Sequence, residues 1–178
     1  MKLYGVVGWK NAGKTTLVER LVAEIAGRGF SVSTVKRAHH MVDVDQQGTD
    51  SWRHRQAGAR EVVLASATRY AIMHELRDEA EPALETLLGQ MAPVDIVIAE
   101  GFKRGTHPKI EVRRADTAGP LLAATDPAVR AIASDTAQPD AGRPVLDVND
   151  IAAIADFILA ETGLAATATA TTKAEGRA

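Results

Sequence analysis

The chain has 178 residues, 46% hydrophobic and 25% charged, enough for one globular domain with a sizeable core. A net charge of −2 implies no broad basic surface, so no nucleic-acid partner is expected, while a single anion pocket stays possible. With no cysteine, disulfides and thiolate metal sites are excluded; with no apolar run near the roughly 20 residues that span a bilayer and no leader before the first strand, a soluble, cytoplasmic protein without a membrane partner is expected.

"LYGVVG", Leu3 to Gly8, is a short apolar strand. After a glycine-rich loop, "KTTLVERLVAEIAGRG" puts Leu17, Leu21, Val22 and Ile25 at helical spacing, with Gly27 and Gly29 as a stop. "FSVSTVKRA" is β-branched and reads as a second strand, which completes a βαβ unit and implies a parallel sheet. His39 to Asp50 has no period and reads as a loop. "SWRHRQAGA" reads as a short helix opening on a Ser or Asp cap, with His54 and Arg55 at the surface. "REVVLAS" and "RYAIMHEL" are strands joined by Ala67 and Thr68, a hairpin without the favoured turn residues. "EPALETLLGQM" is helical in period, with Pro82 in its first turn. Val94 to Glu100 is a strong strand, followed by the strands "PKIEVRR" and "VRAIASD". "RPVLDVNDIAAIADFILAETG" gives a short strand, a cap at Asn149 or Asp150, and a final amphipathic helix. Residues 1–162 read as one α/β layered domain of the P-loop NTPase type, a mostly parallel sheet flanked by helices, and 163–178 as a disordered Ala/Thr-rich tail.

Gly8-Trp9-Lys10-Asn11-Ala12-Gly13-Lys14-Thr15 matches G-x-x-x-x-G-K-[ST] in full, between a strand and a helix, where a phosphate loop belongs. Glycines let the backbone curl its N–H groups towards phosphate oxygens, and the helix N-terminus adds its dipole. Gly8, Asn11, Ala12, Gly13, Lys14, Thr15 and Thr16 are therefore the expected nucleotide-binding residues. Lys14 is expected to reach the β- and γ-phosphates, and Thr15 to offer its hydroxyl to Mg²⁺. Such a loop needs an acid from a neighbouring strand. Glu100, ending "DIVIAE", fills that role, and Gly101 lets the chain turn close to phosphate. Asp43 or Asp45 could serve the metal or its waters, Asp43 being placed in the metal set; a solvated acidic loop is the alternative.

His39 and His40 are adjacent, so on a strand they would point to opposite faces; a loop that contacts ligand or partner is expected there. The N/T-K-x-D guanine signature is absent. Asp135, ending "AIASD", is the expected reader of guanine N1–H and N2–H₂, with Asp126 as a competitor and a turn-initiating aspartate as the plain alternative for both.

"GWKNAGKTT", "VKRAHH", "DVDQQGTDSWRHRQAGA", "AEGFKRGTHPKIEV" and "PVLDVNDIAAIADFI" occur in this order. Together they make the chain resemble the MobB family of molybdopterin-guanine dinucleotide biosynthesis adapter proteins, from about Leu3 to Leu159. The resemblance implies a dimeric P-loop protein that binds GTP and Mg²⁺ and has weak GTPase activity. It implies a MobA-type guanylyltransferase as partner, the enzyme that attaches GMP to molybdopterin. By motif, the loop glycines, Lys14 and Thr15 would hold GTP and Mg²⁺, while Lys14 and Glu100 would carry what catalysis there is. Glu100 and Gly101 would lie by the γ-phosphate, and Lys103 would face an anion. The chain departs from the family pattern at Arg37, where a His is common, at Gln46 and Gln47, where a Pro is common, and at Trp9, where deviant loops carry a Lys. No arginine finger or catalytic glutamine stands out beyond the candidates Arg37, Arg104 and Arg113, so slow turnover is expected. A GTPase metallochaperone and a small-molecule kinase are the alternative readings. The first lacks cysteine and a His-rich tract, and the second lacks clustered lid arginines.

Overall fold

Continuous β-branched runs become buried parallel strands, and the 3.6-residue runs become the helices that cover them. The computed structural model describes residues 1–38, 43–138 and 142–164. His39 and His40 lie outside the described residues, as does the tail from 165 on. The chain folds as two compact units, one of residues 1–37 with 91 onward, the other of 38–90.

The first unit holds a six-stranded sheet. Its strands are β1 (Lys2–Val7), β2 (Val32–Lys36), β5 (Ile96–Glu100), β6 (Lys109–Arg113), β7 (Val129–Ser134) and β8 (Val145–Asp147). The order is β2-β5-β1-β6-β7-β8 and every neighbouring pair is parallel. Helices α1 (Lys14–Gly27) and α4 (Ile151–Thr162) share one core with the sheet. Leu17, Leu21 and Ile25 of α1 and Ile154 and Ile158 of α4 meet Tyr4, Val6, Ile96, Ile98, Ile110 and Val112 there. A smaller cluster of Val7, Ala123, Val129 and Ile132 carries the opposite strand faces, closed by Leu121 and Leu122 beside a 3₁₀ turn at Leu122–Ala124. Of the two expected caps for α4, Asp150 serves: its Oδ1 accepts from Ala153 N–H at 3.0 Å.

This order matters for function. The chain leaves β1 through α1 towards β2, and leaves β5 across β1 towards β6. The carboxyl end of β1 is thus where the winding direction changes, the crevice in which open α/β sheets take ligands.

The second unit contains α2 (Asp50–Gln56), an antiparallel pair β3 (Glu61–Ala65) and β4 (Tyr70–His74), and α3 (Leu84–Gln90). Three expectations are corrected here. The cap of α2 is Thr49, whose hydroxyl accepts from Trp52 N–H, rather than Ser51 or Asp50. Pro82 precedes α3 instead of lying in its first turn. Arg55 is not a surface residue: its guanidinium is mostly buried and bonds Glu75 at 2.6 Å, Asp43 at 2.8 Å and Asp45 at 3.3 Å. Those carboxylates raise its pKa further, Glu75 foremost. The hairpin lacks Asn-Gly chemistry because Ser66 replaces it: its hydroxyl donates to Arg69 C=O and accepts from the N–H groups of Thr68 and Arg69. Among the described residues no helix is long and apolar enough to cross a membrane.

Candidate functional site

The glycine loop leaves β1 in backbone conformations that only its sequence permits. Gly8 has φ +153°, and a Cβ there would stand 2.6 Å from the carbonyl oxygen of Val112. Gly13 caps α1 in the left-handed region, and Asn11 shares that region at φ 64°. Gly13 offers no side-chain cap, unlike Thr49 of α2 and Asp150 of α4, and the first turn of α1 has no acid. The free N–H groups and positive dipole end of α1 therefore have no anion of their own chain nearby in sequence. That is the arrangement an anionic ligand suits.

Lys14 arches back over the loop, and its Nζ donates to Trp9 C=O at 2.7 Å. Burial holds its pKa below the ordinary lysine range, the Lys103 charge adds to this, Glu100 opposes it, and Lys36 lowers it further. So three cations crowd one carboxylate. Such a surplus is relieved by a polyanion.

Thr15, the next residue, donates its hydroxyl to Glu100 Oε1 at 2.9 Å. Glu100 ends β5, in register with Val6 on one side and Lys36 on the other. Its backbone turns at once, because Gly101 has φ +91° and donates to Val6 C=O. The Thr15 and Glu100 oxygens are spaced like adjacent ligands on an octahedral Mg²⁺, about 3 Å apart for metal–oxygen bonds of roughly 2.1 Å. An all-oxygen pair also matches the donor preference of that ion. These residues fit the metal. A cavity of about 310 Å³ opens beside them, lined by Thr15, Val18, Glu19, Thr34, Lys36 and Glu100.

Trp9 and Lys10 interrupt the glycines. Lys10 is exposed, whereas Trp9 is anchored: its Nε1 donates to Pro120 C=O at 2.7 Å, and its ring lies flat enough on Gly119 that a Cβ there would collide. Lys103, expected to face an anion, stacks on this ring with Nζ 4.0 Å from the centroid.

Of the expected site residues, the first unit brings together Gly8, Asn11, Ala12, Gly13, Lys14, Thr15, Thr16, Glu100 and Gly101. Asp135 follows β7, at the carboxyl edge of the sheet like the loop. Its oxygens accept from Ala115 N–H at 3.0 Å and Arg114 at 3.4 Å. Arg114 in turn lies beside Gly13, 3.5 Å from where a Cβ would be. No motif marks Arg114 in the sequence; only its place one residue beyond β6 points to it. Asp126 precedes β7, at the amino edge, and is bonded to Lys109 at 2.8 Å. That removes it as a base reader. Asp43 belongs to the second unit, where Asp45 N–H and Arg55 hold its carboxyl below the usual range. Among the described residues no cluster of three or more His, Cys, Asp or Glu could hold a metal ion.

Comparison with known proteins gives a consistent picture. A family model described as "MobB: Molybdopterin guanine dinucleotide synthesis protein B" matches residues 3–135. The Haemophilus influenzae molybdopterin-guanine dinucleotide biosynthesis adapter protein is 40% identical over 159 residues, covering 88% of this chain and 86% of that protein. The Escherichia coli protein of the same description is 37% identical over 161 residues, covering 88% and 91%. A crystal structure described as molybdopterin-guanine biosynthesis protein B superposes with a TM-score of 0.70 at 26% identity, covering 89% of this chain and 99% of that one.

Proposed function

This chain belongs to the MobB family, and we propose that it acts there as a GTP-binding adapter in the making of molybdopterin-guanine dinucleotide. The observation that carries the nucleotide part is the joined set of an uncapped α1 N-terminus, Lys14 on the loop, and Thr15 hydrogen-bonded to Glu100. In this reading Lys14 exchanges its bond to Trp9 C=O for phosphate oxygens. The first-turn N–H groups of α1 take the β-phosphate region. Thr15 and Glu100 hold Mg²⁺, which when bound draws charge from the terminal phosphate. Asp135 takes the guanine edge if Arg114 releases it.

Turnover is slow in this reading. The arginine beside the loop, Arg114, is paired with Asp135, and Arg113 donates to Gly119 C=O at 3.1 Å. Neither stands ready as a free charge over a γ-phosphate. An adapter needs occupancy more than rate.

Two partners complete the proposal: a MobA-type guanylyltransferase and a second copy of this chain. The hairpin of the second unit supports an interface. Val63, Leu64, Tyr70 and Ile72 are each more than half exposed, and a two-stranded sheet is marginal by itself.

Calorimetric titration with GTP and with ATP tests the nucleotide reading. GTP is expected to bind and Lys14→Ala to lose it; a preference for ATP, or unchanged binding in the variant, would sink it. Pull-down of the transferase with and without GTP tests the adapter role.

A further inference from the structure

The nucleotide reading employs Lys14 and leaves a second lysine without a task. Lys36 is the last residue of β2, in register with Glu100. Its Nζ stands 3.2 Å from Thr15 Oγ1 and 3.2 Å from Glu100 Oε1. These are the two oxygens that fit Mg²⁺. An ammonium bridging both oxygens and a divalent cation bound by both cannot be there together. They need the same lone pairs, and two cations some 3 Å apart repel strongly.

We propose that Lys36 is a built-in counter-ion for the metal position, which holds the site ready and keeps out metal that arrives without nucleotide. This rests on the nucleotide reading of the loop.

The two ends of the pair differ in burial. The Lys36 side chain is 56% exposed and that of Glu100 only 9%. A carboxylate so buried is costly to leave unpaired. An exposed lysine is cheap to move. Lys36 therefore gives the Glu100 carboxylate a partner and keeps it aligned on Thr15 without closing the site. Phosphate alters the balance: it brings negative charge to the loop and further oxygens for the metal. The flexible lysine stem can then turn its ammonium from Glu100 towards the phosphates. Metal and nucleotide bind as a pair, and metal alone binds poorly. Lys36 acts through Glu100 and Thr15, as a positioning residue.

The test uses Mn²⁺ as a paramagnetic probe, titrated into the full chain and followed by electron paramagnetic resonance, alone and with GTP. Wild type, Lys36→Met, Lys36→Gln and Glu100→Gln are compared, with thermal melts to establish that each is folded. Removing the lysine charge is expected to tighten binding of Mn²⁺ alone by about tenfold or more, with a smaller change when GTP is present. Glu100→Gln is expected to weaken Mn²⁺ binding in both conditions. If both Lys36 variants bind Mn²⁺ alone as the wild type does while Glu100→Gln weakens it, the counter-ion role is overturned and the site stands. If Glu100→Gln changes no metal binding at all, the metal position itself is wrong and the proposal falls with it.

Discussion

Gly8 shows how narrow the margin is at the level of one residue. Its φ lies where side chains are rarely found, and a Cβ would meet the Val112 carbonyl, a backbone group that cannot step aside. Gly8→Ala is expected to destabilise the protein by about 2 kcal/mol or more in urea unfolding and to weaken GTP binding at the same time. Loss of stability without loss of binding would show that the loop tolerates a different path. The residues of the loop were legible in the sequence because the motif is contiguous: spacing alone gave Lys14 and Thr15, and the strand end gave Glu100. The residues that brace it were not legible. Trp9 meets Pro120 and Gly119, and Lys103 lies on its ring, all more than 90 positions away in the chain. No local pattern reports a contact of that range. Lys36 was hidden for the same reason, since its meaning comes from strand register and not from its neighbours in sequence.

At the level of elements, β6 is the instructive case. "PKIEVRR" alternates polar and apolar residues, and alternation ordinarily marks one strand face as solvated. Here Lys109 and Glu111 share that face and are fully buried. Lys109 donates to the carbonyls of Lys103 and Gly105 and to Asp126. Glu111 accepts from Leu122 N–H at 3.1 Å and Ala123 N–H at 2.9 Å, so it caps the 3₁₀ turn from the sheet. The two charges fasten the connections that close this face, since no helix of the first unit's described residues packs there. Glu111→Ala would leave two N–H groups without their acceptor and is expected to cost about 3 kcal/mol in chemical denaturation. A cost below about 1 kcal/mol would mean that the turn is held by Leu121 and Leu122 alone. The helices were easier to read than this strand, because their apolar period is set by the core they face. Their starts were harder: Thr49 and Asp150 compete with neighbouring Asp, Ser and Asn residues, and only geometry decides among such caps.

Across the whole molecule, stability should carry the signature of Asp126. Burial works to raise its pKa, but hydrogen bonds from Lys109 and Ala128 N–H prevail and hold it below the usual carboxylate range. A depressed carboxylate stabilises above its unfolded pKa and loses that contribution as pH falls through the folded value. Asp126→Asn is therefore expected to be less stable than wild type by about 2 kcal/mol at neutral pH, with the gap closing below about pH 4. Urea midpoints across a pH series read this directly; a gap constant down to pH 2 would refute it. The proposed pairing with a second copy should respond to the hairpin: Ile72→Lys is expected to shift sedimentation towards monomer, and sedimentation equal to that of the wild type would remove the hairpin from that proposal. The parallel α/β class was legible from alternating strands and helices. The division into two units was not, because the insertion of 38–90 carries ordinary helix and strand signals of its own.

The strand order has a consequence for synthesis. β1 and β2 are made first, yet they do not touch; β5, which separates them, begins at Ile96. As the chain leaves the ribosome, the glycine loop and α1 therefore exist before the parallel sheet can hold them, and residues 38–90 emerge in the interval. Closing so long a loop costs little more than closing a short one, but it delays the pairing. Nascent chains that end before β5 should thus be open to proteases and chaperones, and those that have just released it should become resistant in one step.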